Sequence, residues 1–375
     1  MLAAVLLCKI NLMYEVLRRL FGVLVFMVAA CETNEAALGP TLDPQDELDA
    51  GSPYASNRDA GAIRTTTPEL KVAFLGDQGV NAQARSVLQL VVDEQAHAVF
   101  LLGDLSYGDA SPGAWAAQVR DVLGDDFPYF AVIGNHDLND WFGEGKFSEI
   151  VHERLARIPD AHCEGDYGIK ASCTFRGLGF ITSGVGTYGA DHEAYLESAL
   201  QSSEAVFRLC IWHKNQHDMQ VGTKGDEVGW EAYRICARHG APVINGHEHS
   251  YSRTQPLAAV GDKEQMHGAT AEMSDFELNP GRTFVMVSGL GGKGRRERSA
   301  DHAQDGWWAS VYARKEQRIQ GTVTGTDADI EDGALFVTFN ADGDPYKARA
   351  YFKTTSGEVR DELSWRAPPR DLHYR

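Results

Sequence analysis

From Glu69 onward, short apolar runs rich in β-branched residues alternate with longer segments whose apolar positions recur every three to four residues. A period of two marks a strand and a period near 3.6 marks a helix, so this alternation predicts stacked βαβ units and an α/β fold. Lys71–Leu75 reads as the first strand and Asn81–Gln95 as an amphipathic helix. Ala98–Leu102 follows as a strand, and a helix starts near Pro112, where proline suits a first turn. Tyr129–Ile133 is a third strand and Phe147–Arg157 a third helix, followed by a hairpin-like region over Tyr167–Thr182. Beyond it the pattern predicts helix at His192–Leu200, strand at Val206–Ile211, helix at Trp230–Arg238 and strand at Pro242–Ile244. The end is β-rich, with Thr283–Ser288, Leu335–Asn340 and Lys347–Lys353, the last two joined by an Ala-Asp-Gly-Asp turn. Asp262–Asn279 and Lys293–Asp332 show the least regular pattern and read as surface loops.

The first 68 residues follow different rules. Arg18 and Arg19 precede the uncharged run Leu20–Ala30, the basic-then-apolar order of an export signal. The run is shorter than the about 20 apolar residues a membrane span needs. It ends in Val28-Ala29-Ala30-Cys31, which resembles the lipobox of bacterial lipoproteins. That resemblance implies a signal peptide over 1–31, acylation of Cys31 and a protein lipid-anchored at the bacterial cell envelope. An ordinary signal peptide and an uncleaved anchor are the alternatives, and Met13 offers an alternative start. Residues 32–68 are rich in Ala, Asp, Pro, Ser, Thr and Gly without period, as in a flexible tether. The folded domain is then expected over 69–366, with 367–375 as a tail.

Composition narrows the function classes. Of 375 residues 43% are hydrophobic and 23% charged, which is ordinary for a globular protein. The formal charge of −18, from 53 acidic and 35 basic side chains, opposes general nucleic-acid binding. Export permits disulfides. Cys163 and Cys173 flank a short stretch that a bridge would close as a hairpin. For Cys210, in an apolar strand, and Cys236, on a helical face, a bridge and two buried thiols both fit.

Candidate chemistry gathers at strand ends. Gly76-Asp77-Gln78-Gly79, Gly103-Asp104-Leu105-Ser106-Tyr107, Gly134-Asn135-His136-Asp137, Trp212-His213 and Gly246-His247-Glu248-His249 each follow a predicted strand. In open α/β sheets, ligands bind just outside the carboxyl ends of strands. Each motif alone is weak, since a Gly-Asp after a strand is commonly a turn. Five of them in one order point to a metal site.

This series, GDQG, GDLSY, GNHD, a strand ending in His, and GHEHSYSR, resembles the calcineurin-like metallophosphoesterases and within them the purple acid phosphatases. Gly79 stands where most of that superfamily has a metal-binding histidine, and Tyr107 follows Asp104 by three. The likeness covers roughly Val72 to Arg253 and the C-terminal hairpin. It implies a four-layer αββα sandwich of two mixed sheets flanked by helices, with a dinuclear metal site at the strand C-terminal ends. It also implies metal ligation by Asp77, Asp104, Tyr107, Asn135, His213, His247 and His249. If Asp104 bridges, one ion sees Asp77, Tyr107 and His249, hard oxygen donors suited to Fe(III). The other sees Asn135, His213 and His247, suited to divalent Zn, Fe or Mn. The resemblance further implies in-line hydrolysis of a small phosphate ester by a hydroxide formed at the metal pair. His136 would contact substrate, Asp137 would orient His136, and His217 would serve as leaving-group acid or be a solvent-exposed loop histidine. A phosphomonoesterase is the leading expectation, with a phosphodiesterase and a non-catalytic metal- or phosphate-binding surface lipoprotein as alternatives. The basic loop over 293–298 is expected to be an ordinary solvated charge run, and Glu248 to point away from the metals.

Overall fold

Strand β1 (Leu70–Leu75) is buried along nearly its whole length, as expected of a central strand covered on both faces. The computed structural model describes residues 67–369, except 109, 268–272, 303 and 327–328. The signal peptide over 1–31 with Cys31, nearly all of the tether over 32–68 and the end of the 367–375 tail lie outside the described residues. Among the described residues no helix is long and apolar enough to cross a membrane.

Helix α1 (Ala82–Asp93) starts where Asn81 accepts a hydrogen bond from the Ala84 amide at 2.8 Å. Asparagine is a strong N-cap because its side-chain oxygen satisfies an otherwise orphaned amide. Next come β2 (Ala98–Leu101), α2 (Pro112–Leu123, capped by Ser111), β3 (Tyr129–Ala131) and α3 (Phe147–Leu155). β4 (Ala161–Asp166), β5 (Lys170–Phe175) and β6 (Leu178–Ser183) form a meander. α4 (His192–Ser202), β7 (Arg208–Trp212), α5 (Glu231–Arg238), β8 (Val243–Asn245) and β9 (Tyr251–Thr254) complete the middle of the chain. A short helix α6 (Lys263–His267) and strand β10 (Asp275–Glu277) precede β11 (Val285–Ser288). The end holds β12 (Trp308–Ala313), β13 (Glu316–Ile319), β14 (Thr322–Gly325), β15 (Gly333–Phe339), β16 (Lys347–Thr354) and β17 (Val359–Arg366).

These strands form two mixed sheets. The first has the order β10-β17-β16-β15-β1-β2-β3, and the second β14-β13-β12-β9-β11-β8-β7-β6-β5-β4. The alternation along β7 shows how the layers stack. Leu209 and Ile211 join the core between the sheets, while Cys210 and Trp212 join the core beneath α4 and α5. On the far side, Val87, Leu88 and Val91 of α1 and Trp115 and Val119 of α2 pack on the first sheet. The result is two mixed sheets flanked by helices.

One buried ion pair joins the sheets. Arg253 on β9 donates from Nε and Nη2 to the two oxygens of Asp361 on β17, at 2.6 and 2.9 Å. Tyr251 donates to the same carboxylate at 2.7 Å. Both charged groups are almost fully buried, so removing either leaves the other uncompensated.

Both loop expectations change, the expected Cys163–Cys173 bridge is present, and the open choice for Cys210 and Cys236 falls to a bridge. Asp262–Asn279, read as loop, contains α6 and β10. The stretch over 293–332, read as loop, contains β12, β13 and β14. β12 is buried at every position, so it lacks the alternation that marks a half-exposed strand. The turns on either side of β13 place Lys315 and Gln320 at positive φ, without the Asn-Gly or Asp-Gly signal of a hairpin. The cysteines are bridged as Cys163–Cys173, across the β4–β5 pair, and as Cys210–Cys236, which ties β7 to α5.

Candidate metal centre

β1, β2, β3, β7 and β8 all end on one rim, and each sequence-predicted ligand follows one of these ends. The chain turns there under constraint. Asp77, Asp104 and His247 have φ of 60°, 54° and 71°, a left-handed region that bulky residues rarely enter. Such strain concentrates at functional sites and is held by the surrounding structure. At Gly134 a β-carbon would lie 2.2 Å from Asp104 Oδ1, so only glycine lets the Asn135 turn approach. At Gly103 it would meet the His213 ring at 2.5 Å.

The donors converge as two groups. In the first, Tyr107 Oη lies 3.1 Å from Asp77 Oδ1 and 3.2 Å from His249 Nε2. His249 Nε2 is also 3.3 Å from Asp77 Oδ1. In the second, His213 Nε2 is 3.2 Å from Asn135 Oδ1, 3.3 Å from Asp104 Oδ1 and 3.1 Å from His247 Nδ1. The halves are linked where the His247 amide donates to Asp77 Oδ2 at 2.8 Å.

Proton accounting in the second group shows what it fits. His213 Nδ1 lies 2.7 Å from the Leu102 carbonyl, so that nitrogen carries the proton and Nε2 presents its lone pair. His247 Nε2 lies 2.5 Å from Glu227 Oε2, which leaves Nδ1 as the bare nitrogen. Two imidazole lone pairs, the Asn135 carbonyl and the Asp104 carboxylate therefore face one another. Such a cluster calls for positive charge. Burial alone would lower His213, but the Asp104 charge beside it raises it to about 9. Burial would raise Asp104, yet His213 holds its carboxyl well below the usual range. In the first group, burial and the Asp77 and Asp104 carboxylates push the Tyr107 phenol well up, so only a strong local cation would deprotonate it. Carboxylates, an amide oxygen, a phenol and imidazoles are a donor set that suits two ions of unequal hardness.

The remaining candidates fall out differently. His136 is exposed at the rim, its ring centroid 4.4 Å from that of Tyr107, and its amide donates to Asp104 Oδ1 at 2.9 Å. Asp137 was expected to orient the His136 ring. Instead its carboxylate accepts from the amides of Gly134, Asp104 and Leu105 at 2.7, 3.0 and 2.8 Å. Asp137 thus clamps two of the strained turns together. His217 does not join the seven: its ring packs on His302 with centroids 4.8 Å apart, and its Nδ1 sits 2.7 Å from the Lys224 carbonyl.

The basic loop is also not a solvated run. The Lys293 amide bonds the Asp77 carbonyl and the Arg296 amide bonds the His249 carbonyl, both at 2.9 Å. Lys293 Nζ stands 4.3 Å from the Tyr107 ring centre, and Arg295 pairs with Asp332 at 2.8 Å. Glu248 is fully buried, 3.5 Å from Arg296 Nη1. Sequence reasoning missed Glu227, which fixes the His247 tautomer and pairs with Lys214 at 2.6 Å. A glutamate in a polar loop carries no periodicity or motif that could have marked it.

Residues 70–251 match the calcineurin-like phosphoesterase family. A search of curated protein sequences gives no match. Among solved structures, a purple acid phosphatase from yellow lupin (Lupinus luteus) seeds is similar at 16% identity and a TM-score of 0.52. That match covers 82% of this chain and 58% of the lupin chain, so this chain spans well under two thirds of its relative. PhoD matches at 12% identity and a TM-score of 0.49, over 81% of this chain and 71% of that one. The GAP50 anchor of the Plasmodium inner membrane complex matches at 13% and 0.47, over 81% and 90%. The family match runs from β1 to the start of β9, through every strand end that carries a candidate ligand, so residues 70–251 form a calcineurin-like phosphoesterase region.

Proposed function

We propose that the protein hydrolyses small phosphate esters at a pair of metal ions, acting as a phosphomonoesterase of purple acid phosphatase type. The observation that carries this reading is the convergence of two unequal donor groups on one rim, with Asp104 beside His213 in the second. Asp77, Tyr107 and His249 would hold Fe(III), and Asn135, His213 and His247 a divalent ion, with Asp104 shared. When bound, two such ions supply Lewis-acid activation of the phosphoryl group and a hydroxide at mild pH.

The protein's own groups would do the rest. His136, exposed beside Tyr107, is placed to donate a hydrogen bond to a substrate oxygen. Asp137 acts as a positioning residue by fixing the turns that carry Asp104 and Asn135. Lys293, over the Tyr107 ring, adds positive charge where an anionic substrate would approach. Two disulfides support an oxidising compartment, in keeping with export and a lipid anchor at Cys31.

The test is hydrolysis of an aryl phosphate monoester by the metal-loaded protein. Turnover that is abolished by chelation, restored by metal and lost in Asn135→Ala is the expected result. A fully metallated protein without turnover would leave the metal-sequestering alternative in its place. Faster cleavage of a bis-aryl phosphate than of the monoester would make it a diesterase.

A further inference from the structure

A second group of metal-ligand side chains lies outside the seven. His217, Asp218 and His302 place one donor atom each within 4.8 Å of one another. His217 and Asp218 belong to a short turn in the segment after β7, and His302 to a turn that follows the basic loop. We propose that these three residues bind a further divalent cation of the zinc type, separate from the two-ion centre.

The hydrogen bonds around the two rings prepare them for this. His302 Nδ1 lies 2.7 Å from Asp305 Oδ2, which places the proton on Nδ1 and bares Nε2. A carboxylate behind an imidazole is the usual means of fixing a metal-ligating histidine. His217 Nδ1 is taken by the Lys224 carbonyl in the same way, leaving its Nε2. Among the described residues, the one recorded hydrogen-bond contact to the bare nitrogen of His302 is a long one. Gln220 Nε2 approaches it at 3.4 Å, but that amide also faces the carbonyls of His217 and Lys224 at 2.9 and 3.1 Å. An amide has two protons, and the two shorter contacts use them. His302 is 1% exposed, so water does not readily satisfy this nitrogen.

The third ligand is the Asp218 carboxylate, which is buried. One of its oxygens meets Lys263 Nζ at 2.7 Å, and a carboxylate has a second oxygen to offer an ion. Two imidazoles and a carboxylate with one open position are a donor set that zinc favours. An ion here would fasten two segments that already touch, since the Ser299 amide donates to the Val221 carbonyl at 2.8 Å. Trp307 Nε1 donates to the Asp218 carbonyl at 3.2 Å from the same side. One of these segments begins at His213, and the other contains Lys293 and Arg296. The ion would therefore order the loops that border the two-ion centre without taking part in it.

The experiment strips the full chain of metal, reloads it with excess zinc, removes loose ion by desalting and counts zinc per chain by mass spectrometry. His302→Gln and Asp218→Asn are each expected to retain one equivalent fewer than the natural protein. Asp305→Asn, which removes no ligand, is expected to weaken that equivalent by about 10–100-fold, and it carries the test if the other two fail to fold. In an Asp104→Asn background the His302-dependent equivalent is expected to persist, so failure of the two-ion reading and failure of this one are distinguishable. Equal zinc in the natural protein, His302→Gln and Asp218→Asn would overturn the proposal.

Discussion

The two halves of the candidate centre are built from the same kind of strand end and differ in what stands behind the donors. Behind the nitrogen-rich half are fixed acceptors, the Leu102 carbonyl on His213 and the Glu227 carboxylate on His247. Each ring is held in one orientation before any ion arrives, with Nε2 of His213 and Nδ1 of His247 facing the other donors. The oxygen-rich half has no such backing for Tyr107, whose phenol shares its proton with Asp77 and lies beneath the Lys293 ammonium. One half already aims its imidazole nitrogens at one point, whereas the other becomes fully anionic only when a strong cation removes a proton. That difference is the physical basis for assigning them ions of different charge.

Several substitutions would break or sharpen this contrast. Asp104→Asn removes the carboxylate proposed to be shared by both ions and should abolish binding of both, lowering turnover by about 1,000-fold or more, which metal analysis and steady-state rates would check. Unchanged metal content in that variant would end the shared-ligand account. Glu227→Gln should weaken only the divalent ion, by about 10–100-fold, as read by competition with a chelator. Arg253→Met tests whether the halves depend on the scaffold. It leaves Asp361 buried and unpaired, and should cost about 3–5 kcal/mol in denaturant unfolding. Both metal affinities should nevertheless remain in the folded fraction.

The smallest effect concerns the opposite end of β1. Burial would raise Glu94, but Lys353, Lys71 and Tyr351 hold it at about 2. A carboxylate with a lowered pKa stabilises the fold above its unfolded value of about 4.3 and loses that contribution as pH falls toward 2. Glu94→Gln should therefore cost about 1–2 kcal/mol at neutral pH, after allowance for solvent screening, and almost nothing near pH 2. Metal content at neutral pH should not change. A cost that does not vary with pH would mean that Glu94 acts by packing alone.

Much of the centre was legible because its residues lie next to strand ends, and strand ends show in the hydrophobic pattern. Asp77, Asp104, Asn135, His213, His247 and His249 could be located from local sequence, since each follows an apolar run directly. What the pattern could not convey is contact between distant segments. Glu227 reaches His247 from a polar loop, and Lys293 reaches Tyr107 from a segment that read as solvated charge. Asp137 sits beside His136 in the sequence, yet its side chain turns inward to three amides while His136 is exposed. The strands β12 to β14 stayed hidden for a related reason. Trp308 to Ala313 is apolar on both faces, and its neighbouring turns use Lys315 and Gln320 where a pattern would need glycine or asparagine.

The unequal halves are tested most directly by the visible spectrum of the iron-loaded protein, recorded with its iron content, for the natural chain and for Tyr107→Phe. The account predicts one iron per chain and a visible Fe(III)–phenolate band that disappears in Tyr107→Phe. A protein that binds no iron, or a band that survives the loss of the Tyr107 hydroxyl, would contradict it.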